Sequence, residues 1–154
     1  MVGVVGLGYV GLPLLRAFHR AGFPVLGFDI DEQKIRELRS GRSYLKHLGE
    51  DFVREMAASP KFAATADQRE LARADAIVLC VPTPLGPHGE PDMSFIVRST
   101  EMVASVLRKG QLVALESTTY PGTTRGDCRP ILERTGLVCG RDFFLAFSPE
   151  REDP

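Results

Sequence analysis

The sequence predicts a doubly wound α/β fold, in which about six parallel strands alternate with helices. Short apolar runs alternate along the chain with longer segments whose apolar residues recur at helical spacing. The run Ala76–Val81 is apolar throughout, which is typical of a strand covered on both faces of a parallel sheet. The 15 glycines and 11 prolines fall mainly at the junctions between such segments. With 154 residues and no linker-like stretch, the chain is expected to form one domain over residues 1–154.

The first half of the chain is expected to contain three strands and four helices. Val10, Leu14 and Phe18 recur at i, i+4 and i+8, which predicts a first helix that ends at Gly22. Residues 41–48 show neither the apolar run of a strand nor the apolar spacing of a helix, and they are expected to form a loop. The predicted strands are Val2–Val5, Pro24–Phe28 and Lys61–Thr65, and the later helices are Asp31–Arg39, Glu50–Ala58 and Asp67–Arg73.

The second half repeats the alternation with longer helical segments. The proline-rich stretch 82–91 cannot continue the strand before it, because proline has no N–H for a sheet hydrogen bond. Gly110 is expected to close the helix that precedes it. The predicted strands are Ala76–Val81, Gln111–Leu115 and Asp142–Phe147, and the predicted helices are Ser94–Arg108 and Gly122–Thr135.

Charge and hydropathy exclude two classes of partner. Nineteen Lys and Arg residues against 20 Asp and Glu residues leave a net charge of −1, whereas nucleic-acid and anionic-membrane binders carry clustered positive charge. The first fifteen residues are uncharged, but glycines and Pro13 interrupt them far short of a ~20-residue membrane span. We therefore expect no nucleic-acid partner and no membrane segment.

The cysteines and histidines show no spacing typical of a metal site or a disulfide framework. Three cysteines without a CxxC motif predict reduced, partly buried thiols and a cytoplasmic location. No histidine pairs with a cysteine or an acid at zinc or triad spacing, so no metal site is expected. The cysteines are Cys80, Cys128 and Cys139, and the histidines are His19, His47 and His88.

The segment Gly6-Leu7-Gly8-Tyr9-Val10-Gly11 is a GxGxxG motif between the first predicted strand and the first predicted helix. In that context the motif favours dinucleotide binding over a plain strand–helix turn. The first glycine permits the tight turn, the second lets the backbone approach a pyrophosphate, and the third lets the helix pack closely on the strand. The helix N-terminus then offers N–H groups and a positive dipole end to the phosphates.

Asp29 lies at the end of the second predicted strand, 21 residues after Gly8. An acid at this position accepts hydrogen bonds from the adenosine ribose and repels a 2′-phosphate, which favours NAD over NADP. The alternative, an aspartate that only caps the next helix, suits Asp31 better. Lys34 either closes over the same ribose or is a solvated charge on the helix.

Polar residues follow the fourth, fifth and sixth predicted strands, at the sheet edge where ligands of open α/β folds bind. We expect Val81, Pro82 and Thr83 to contact the cofactor after the fourth strand. After the fifth strand, the same position is occupied by Ser117 and Thr118, although such hydroxyls can also serve only as caps. After the sixth strand, Glu150 is a candidate general acid–base group, or a solvated carboxylate.

Several longer blocks carry a more specific signal, namely Val4–Leu15 (VVGLGYVGLPLL), Asp29, Val81–Pro84 (VPTP), Glu90–Ser94 (EPDMS), Glu116–Thr124 (ESTTYPGTT) and Phe147–Pro154 (FSPEREDP). In this order they resemble the UDP-sugar 6-dehydrogenase family over essentially the whole chain. The ending SPEREDP resembles the branch that acts on UDP-N-acetylhexosamines more than the branch that acts on UDP-glucose.

The resemblance implies a Rossmann-type NAD-binding domain and a UDP-sugar substrate whose carbon-6 hydroxyl is oxidised to a carboxylate with two NAD. It implies that Thr118 orients the catalytic water and that Glu150 performs acid–base work in thioester hydrolysis. It also places Glu150 and Arg151 at the substrate, Lys34 near the adenosine ribose, and Thr83, Ser117 and Thr118 at the cofactor.

Members of that family are much longer than this chain. The resemblance therefore implies that a helical dimerisation region, the catalytic Lys and Cys, and a UDP-binding domain follow Pro154 in a homo-oligomeric full-length protein. The fragment alone is then expected to bind NAD without turnover. Two alternatives stay open: another β-hydroxyacid-type NAD dehydrogenase, which would not account for ESTTYPGTT, and a stand-alone NAD-binding module without catalysis.

Overall fold

The computed structural model of the chain describes residues 1–46, 48–86 and 89–149. They form one six-stranded, fully parallel sheet in the order β3-β2-β1-β4-β5-β6. The chain begins in the middle of the sheet and winds outward first in one direction and then in the other, so the predicted doubly wound fold is confirmed. The strands are β1 (Val2–Val5), β2 (Val25–Phe28), β3 (Phe62–Thr65), β4 (Ala76–Leu79), β5 (Leu112–Leu115) and β6 (Phe144–Phe147).

The helices cover both faces of this sheet. They are α1 (Gly11–Arg20), α2 (Glu32–Arg39), α3 (Glu50–Ala57), α4 (Ser94–Ala104) and α5 (Arg129–Glu133). One hydrophobic cluster joins α1, α2 and α3 to strand residues such as Val4 and Val25. A second cluster joins α4 and α5 to strand residues such as Leu26 and Ile77, whose side chains point to the opposite face.

Two predicted helices differ from the structure for identifiable reasons. The helix predicted over Ser94–Arg108 ends at Ala104. After it, the Val106 and Leu107 N–H groups donate to carbonyls three residues before them, and the Arg108 N–H donates to the Gln111 side chain. The segment predicted as one helix over 122–135 contains a π-helical turn, Thr124–Cys128, before α5. Pro130 has no N–H to donate to the Gly126 carbonyl, so the α-helical hydrogen-bond pattern is interrupted where the π-helical turn meets α5.

Smaller differences concern element ends. The helix predicted over 67–73 is a 3₁₀-helix, Gln68–Arg73, capped by the Asp67 carboxylate. The fourth strand ends at Leu79 rather than at Val81, so Cys80 and Val81 belong to the connection that follows it. These two residues therefore lie at the carboxyl edge of the sheet instead of inside it.

Two further observations concern membrane-spanning helices and the state of the cysteines. No helix among them is both long and apolar enough to cross a bilayer. All three cysteines fall within those residues and are free thiols, buried at Cys80 and Cys128 and half-buried at Cys139.

Candidate cofactor site

A cavity of about 700 Å³ opens at the carboxyl edge of the sheet, over the ends of β1, β2, β4 and β5. This edge includes the point between β1 and β4 where the strand order reverses, which is where α/β folds of this type bind ligands. The cavity volume suits a ligand of cofactor size. Its wall includes the predicted residues Gly6, Leu7, Gly8, Tyr9, Val10, Asp29, Lys34, Val81, Pro82, Thr83, Ser117 and Thr118.

The glycine-rich loop, residues 6–11, joins β1 to α1 along one wall. Gly6 has φ +89°, and a Cβ there would lie 2.4 Å from the Cys80 carbonyl oxygen. A Cβ on Gly11 would lie 1.8 Å from the Gly6 carbonyl oxygen, so α1 can start here only because residue 11 has no side chain. A Cβ on Gly8 would meet nothing within 4 Å. The loop is therefore tightly packed at Gly6 and Gly11 and open at Gly8.

Gly11 differs in position from the other predicted cofactor residues that the structure describes. It does not line the cavity in the described part of the chain, but lies behind the loop against Gly6. Its contribution is to bring the start of α1 close to β1, while the residues before it face the cavity.

The N-terminus of α1 is favourable for an anion. Val10, at the N-cap position, makes no side-chain capping hydrogen bond, and the first turn contains no acidic residue. Arg20 lies in the last turn, where its positive charge interacts favourably with the negative end of the helix dipole. The first-turn N–H groups of a helix have no intrahelical acceptor, and a phosphate can accept from them.

Asp29 follows β2 and is nearly buried, with 7% of its surface exposed. Its Oδ2 accepts from the Leu7 N–H at 2.9 Å and from the Lys34 ammonium at 3.2 Å. Its Oδ1 accepts from the Asp31 N–H at 3.0 Å. A carboxylate has about four acceptor positions, so three donors leave capacity for a ligand hydroxyl.

The capping role that the sequence assigned to Asp31 is confirmed. Its Oδ1 accepts from the N–H groups of Gln33 at 2.9 Å and Lys34 at 3.4 Å, at the start of α2. Asp29 is therefore not needed as a helix cap. Lys34 is one-third exposed and ion-paired with Asp29, rather than a free charge on the helix surface.

The ends of β4 and β5 lie side by side on the opposite wall. The Ser117 hydroxyl is buried and donates to the Val81 carbonyl at 2.8 Å, so it ties the two strand ends together. With this bond the Ser117 hydroxyl caps a strand end, which was the alternative to a cofactor contact. Only the lone pairs of its oxygen remain for a ligand. Thr118 is exposed and Thr83 half-buried, and both line the cavity.

Part of the wall was not predicted from the sequence. Phe95, Ser99 and Met102 lie at i, i+4 and i+7 on α4, with Arg98 beside them, and together they form one face over the cavity. The spacing of these residues in the sequence could have identified this face, since the helix after a strand begins near the carboxyl edge of a parallel sheet. Ile30, 83% exposed, extends the wall next to Asp29. The predicted residues Glu150 and Arg151 lie outside the described residues.

Comparison with known protein families covers the whole chain. A model described as UDP-glucose/GDP-mannose dehydrogenase family, NAD binding domain, matches residues 1–154. Protein CapL from Staphylococcus aureus is 40% identical over 99% of this chain and 35% of its own length. UDP-N-acetyl-D-glucosamine 6-dehydrogenase from Pseudomonas aeruginosa is 41% identical over 99% of this chain and 36% of that protein. The chain thus spans about a third of the length of the curated relatives it matches.

Solved structures agree with the sequence comparison. UDP-D-ManNAc dehydrogenase from Pyrococcus horikoshii matches with a TM-score of 0.92 and 36% identity, over 99% of this chain and 37% of that one. GDP-mannose dehydrogenase from Pseudomonas aeruginosa, solved as a ternary complex, matches with a TM-score of 0.93 and 26% identity, over 99% and 36% of the two chains.

Proposed function

Because the chain belongs to the UDP-glucose/GDP-mannose dehydrogenase family, as its NAD-binding domain, we propose that it serves the oxidation of a UDP-hexose at carbon 6. The product of that reaction is a carboxylate, and the longer protein carries it out with two NAD. The sugar is an N-acetylhexosamine. Support for this choice comes from relatives named UDP-N-acetyl-D-glucosamine 6-dehydrogenase and UDP-N-acetyl-D-mannosamine dehydrogenase, at 41% and 36% identity.

The residues around the cavity fit NAD. The observation that carries the proposal is the combination, on one wall, of an open backbone at Gly8 and a nearly buried acid at Asp29. The open backbone lets a pyrophosphate approach the loop and the N-terminus of α1. Asp29 then accepts from the adenosine ribose, and its charge disfavours the 2′-phosphate of NADP.

The nicotinamide half extends in this proposal toward the ends of β4 and β5. When bound there, NAD supplies the hydride acceptor for each oxidation. Thr83 and Thr118 line that end of the cavity. In the longer protein the catalytic Cys captures the aldehyde formed by the first oxidation, the second oxidation gives a thioester, and Thr118 orients the water that hydrolyses it. Glu150 performs the acid–base work, and it contacts the substrate together with Arg151.

Calorimetric titration of residues 1–154 with NAD and, separately, NADP tests the cofactor half of the proposal. We expect NAD to bind with at least about tenfold preference, or roughly 1.4 kcal/mol. Equal affinities for the two cofactors would contradict the role of Asp29. If neither binds, the same titration of the full-length protein decides whether the site needs the rest of the enzyme.

The substrate half is tested with the full-length protein and UDP-N-acetylglucosamine, UDP-N-acetylmannosamine and UDP-glucose in parallel. NADH formation should be fastest with an N-acetylated sugar and should yield two NADH per sugar consumed. The same assay with residues 1–154 alone should give no NADH. Faster turnover of UDP-glucose would refute the choice of sugar without affecting the assignment of the cofactor site.

A further inference from the structure

Tyr44 lies in the loop between α2 and α3, to which the sequence assigned no role. Its hydroxyl donates to the Leu7 carbonyl, in the glycine-rich loop, at 2.5 Å. We propose that Tyr44 is a positioning residue that holds this loop in the shape that binds the cofactor pyrophosphate. The proposal rests on the NAD-binding function proposed above.

The bond from Tyr44 closes a ring of contacts around the Leu7 backbone. The Leu7 N–H donates to Asp29, which also pairs with the Lys34 ammonium. That ammonium lies 5.8 Å from the centre of the Tyr44 ring, over its face. Leu7, Asp29, Lys34 and Tyr44 together are called the Leu7 clamp below. In the clamp, both polar groups of one loop residue are bonded to side chains from elsewhere in the chain.

The clamp compensates for the composition of the loop. Gly6 and Gly8 flank Leu7, and glycine loses more conformational freedom on ordering than any other residue. If the loop became ordered only when the ligand bound, the free-energy cost of that lost entropy would weaken binding. Because the clamp and the fully buried Leu7 side chain fix the loop in the free protein, the cost is met on folding instead.

Tyr44 acts through Leu7 and not by contact with the ligand. It is not among the described residues that line the cavity, whereas Leu7, Asp29 and Lys34 are. Its ring is half-buried and packs beside the cluster under α1 to α3, a place that phenylalanine would fill as well. Burial raises the pKa of the Tyr44 hydroxyl, and the carboxylates of Asp29 and Asp31 add to the shift. The hydroxyl therefore remains a donor at neutral pH.

The test is Tyr44→Phe in residues 1–154, which keeps the ring and removes only the hydroxyl. Thr135→Val is the control, because the Thr135 hydroxyl also donates to a backbone carbonyl, that of Leu132 at 2.7 Å, after α5 and away from the cavity lining. This hydroxyl also accepts from the Leu137 N–H at 3.3 Å, so the control removes at least as many bonds as Tyr44→Phe. We expect NAD to bind about five- to tenfold more weakly to Tyr44→Phe and unchanged to Thr135→Val. Adenosine, which lacks the pyrophosphate, should bind to Tyr44→Phe with the same affinity as to the wild type. The Gly8 nitrogen belongs to the same peptide group as the Leu7 carbonyl, which loses its hydrogen bond in Tyr44→Phe. The ¹⁵N resonance of Gly8 should therefore shift in Tyr44→Phe and not in Thr135→Val.

The outcomes separate this inference from the proposed function. If the wild type binds no NAD, the proposed function fails. If it binds NAD and Tyr44→Phe binds within twofold of it, or loses adenosine and NAD affinity equally, the positioning role is refuted. Should Tyr44→Phe not fold, proton NMR of the hydroxyl of Tyr44 in the free wild type decides. A Tyr44 hydroxyl proton that exchanges slowly with solvent supports a bond to the Leu7 carbonyl that is formed before the ligand binds, and exchange at the rate of a solvated tyrosine hydroxyl overturns it.

Discussion

Gly8→Ala should weaken NAD binding and Gly11→Ala should lower stability, although both add one methyl group to the same loop. At Gly11 the new Cβ would lie 1.8 Å from the Gly6 carbonyl oxygen, and Cβ atoms essentially never approach another atom within 3.0 Å. The loop or α1 must therefore move by more than about 1 Å. The Gly6 N–H, however, is bonded to Phe28 in β2 at 2.9 Å, and this bond opposes the shift.

The magnitudes follow from that geometry. Forcing a methyl group into closely packed backbone costs about 3 kcal/mol, which lowers the melting temperature of a domain of this size by roughly 6–12 °C. The φ of Gly8 is not positive, and the space around a Cβ there is open. Gly8→Ala should therefore change stability by less than about 1 kcal/mol. Its methyl group would, however, stand where the pyrophosphate approaches. Loss of one charge-assisted hydrogen bond there weakens NAD binding by about 10- to 150-fold.

Thermal unfolding and calorimetric titration of residues 1–154 measure both effects. Gly126→Ala is the control, because a Cβ there also meets nothing within 4 Å and its site lies in the π-helical turn away from the cavity. It should bind NAD like the wild type and melt at or slightly above the wild-type temperature. A Gly8→Ala variant with wild-type NAD affinity, or a Gly11→Ala variant with wild-type stability, would show that the loop roles are assigned wrongly.

Other contacts give three shorter predictions. Asp29→Asn keeps the side-chain shape but removes the charge, so titration should show about tenfold weaker NAD binding and a smaller preference over NADP; an unchanged preference would contradict the charge argument. The hydrogen bond from Arg141 and that from the Val138 N–H lower the pKa of Asp142 from 3.8 to about 2. Its contribution to stability is therefore present above pH 3.8 and lost as the pH falls toward 2, so Asp142→Asn should lose less thermal stability over that range than the wild type. Burial raises the pKa of the Cys128 thiol, so iodoacetamide should alkylate the half-buried Cys139 first, as peptide mass spectrometry would reveal.

The parts of the structure that sequence reasoning predicts are those fixed by local backbone constraints. Strand and helix order follow from apolar periods, and the turn at Gly6 follows from a motif in which the side chain must be absent. Element ends were less predictable, because they depend on distant bonds. The Arg108 guanidinium, for example, donates to the Ala72 and Ala74 carbonyls, before β4, and these contacts leave no local trace in the sequence around α4.

The side chains that complete the site are likewise brought together over long sequence separations. Tyr44 and Leu7 are 37 residues apart, and neither carries a feature that points to the other. The α4 face with Phe95 and Met102 is periodic, yet the same period is typical of an ordinary core-facing helix. Only the fold shows that this face covers the cavity and not the sheet.

The physical needs of the loop explain why its partners lie outside the motif. Close approach to a pyrophosphate requires glycine, and glycine makes the free loop costly to order. Within the loop, the fully buried Leu7 side chain supplies part of the missing constraint. The bonds that Asp29 and Tyr44 make to Leu7 constrain the loop through its backbone and leave the space at Gly8 open. The glycine motif therefore predicts that a dinucleotide can be bound, whereas the strength of binding is set by residues that the motif does not contain.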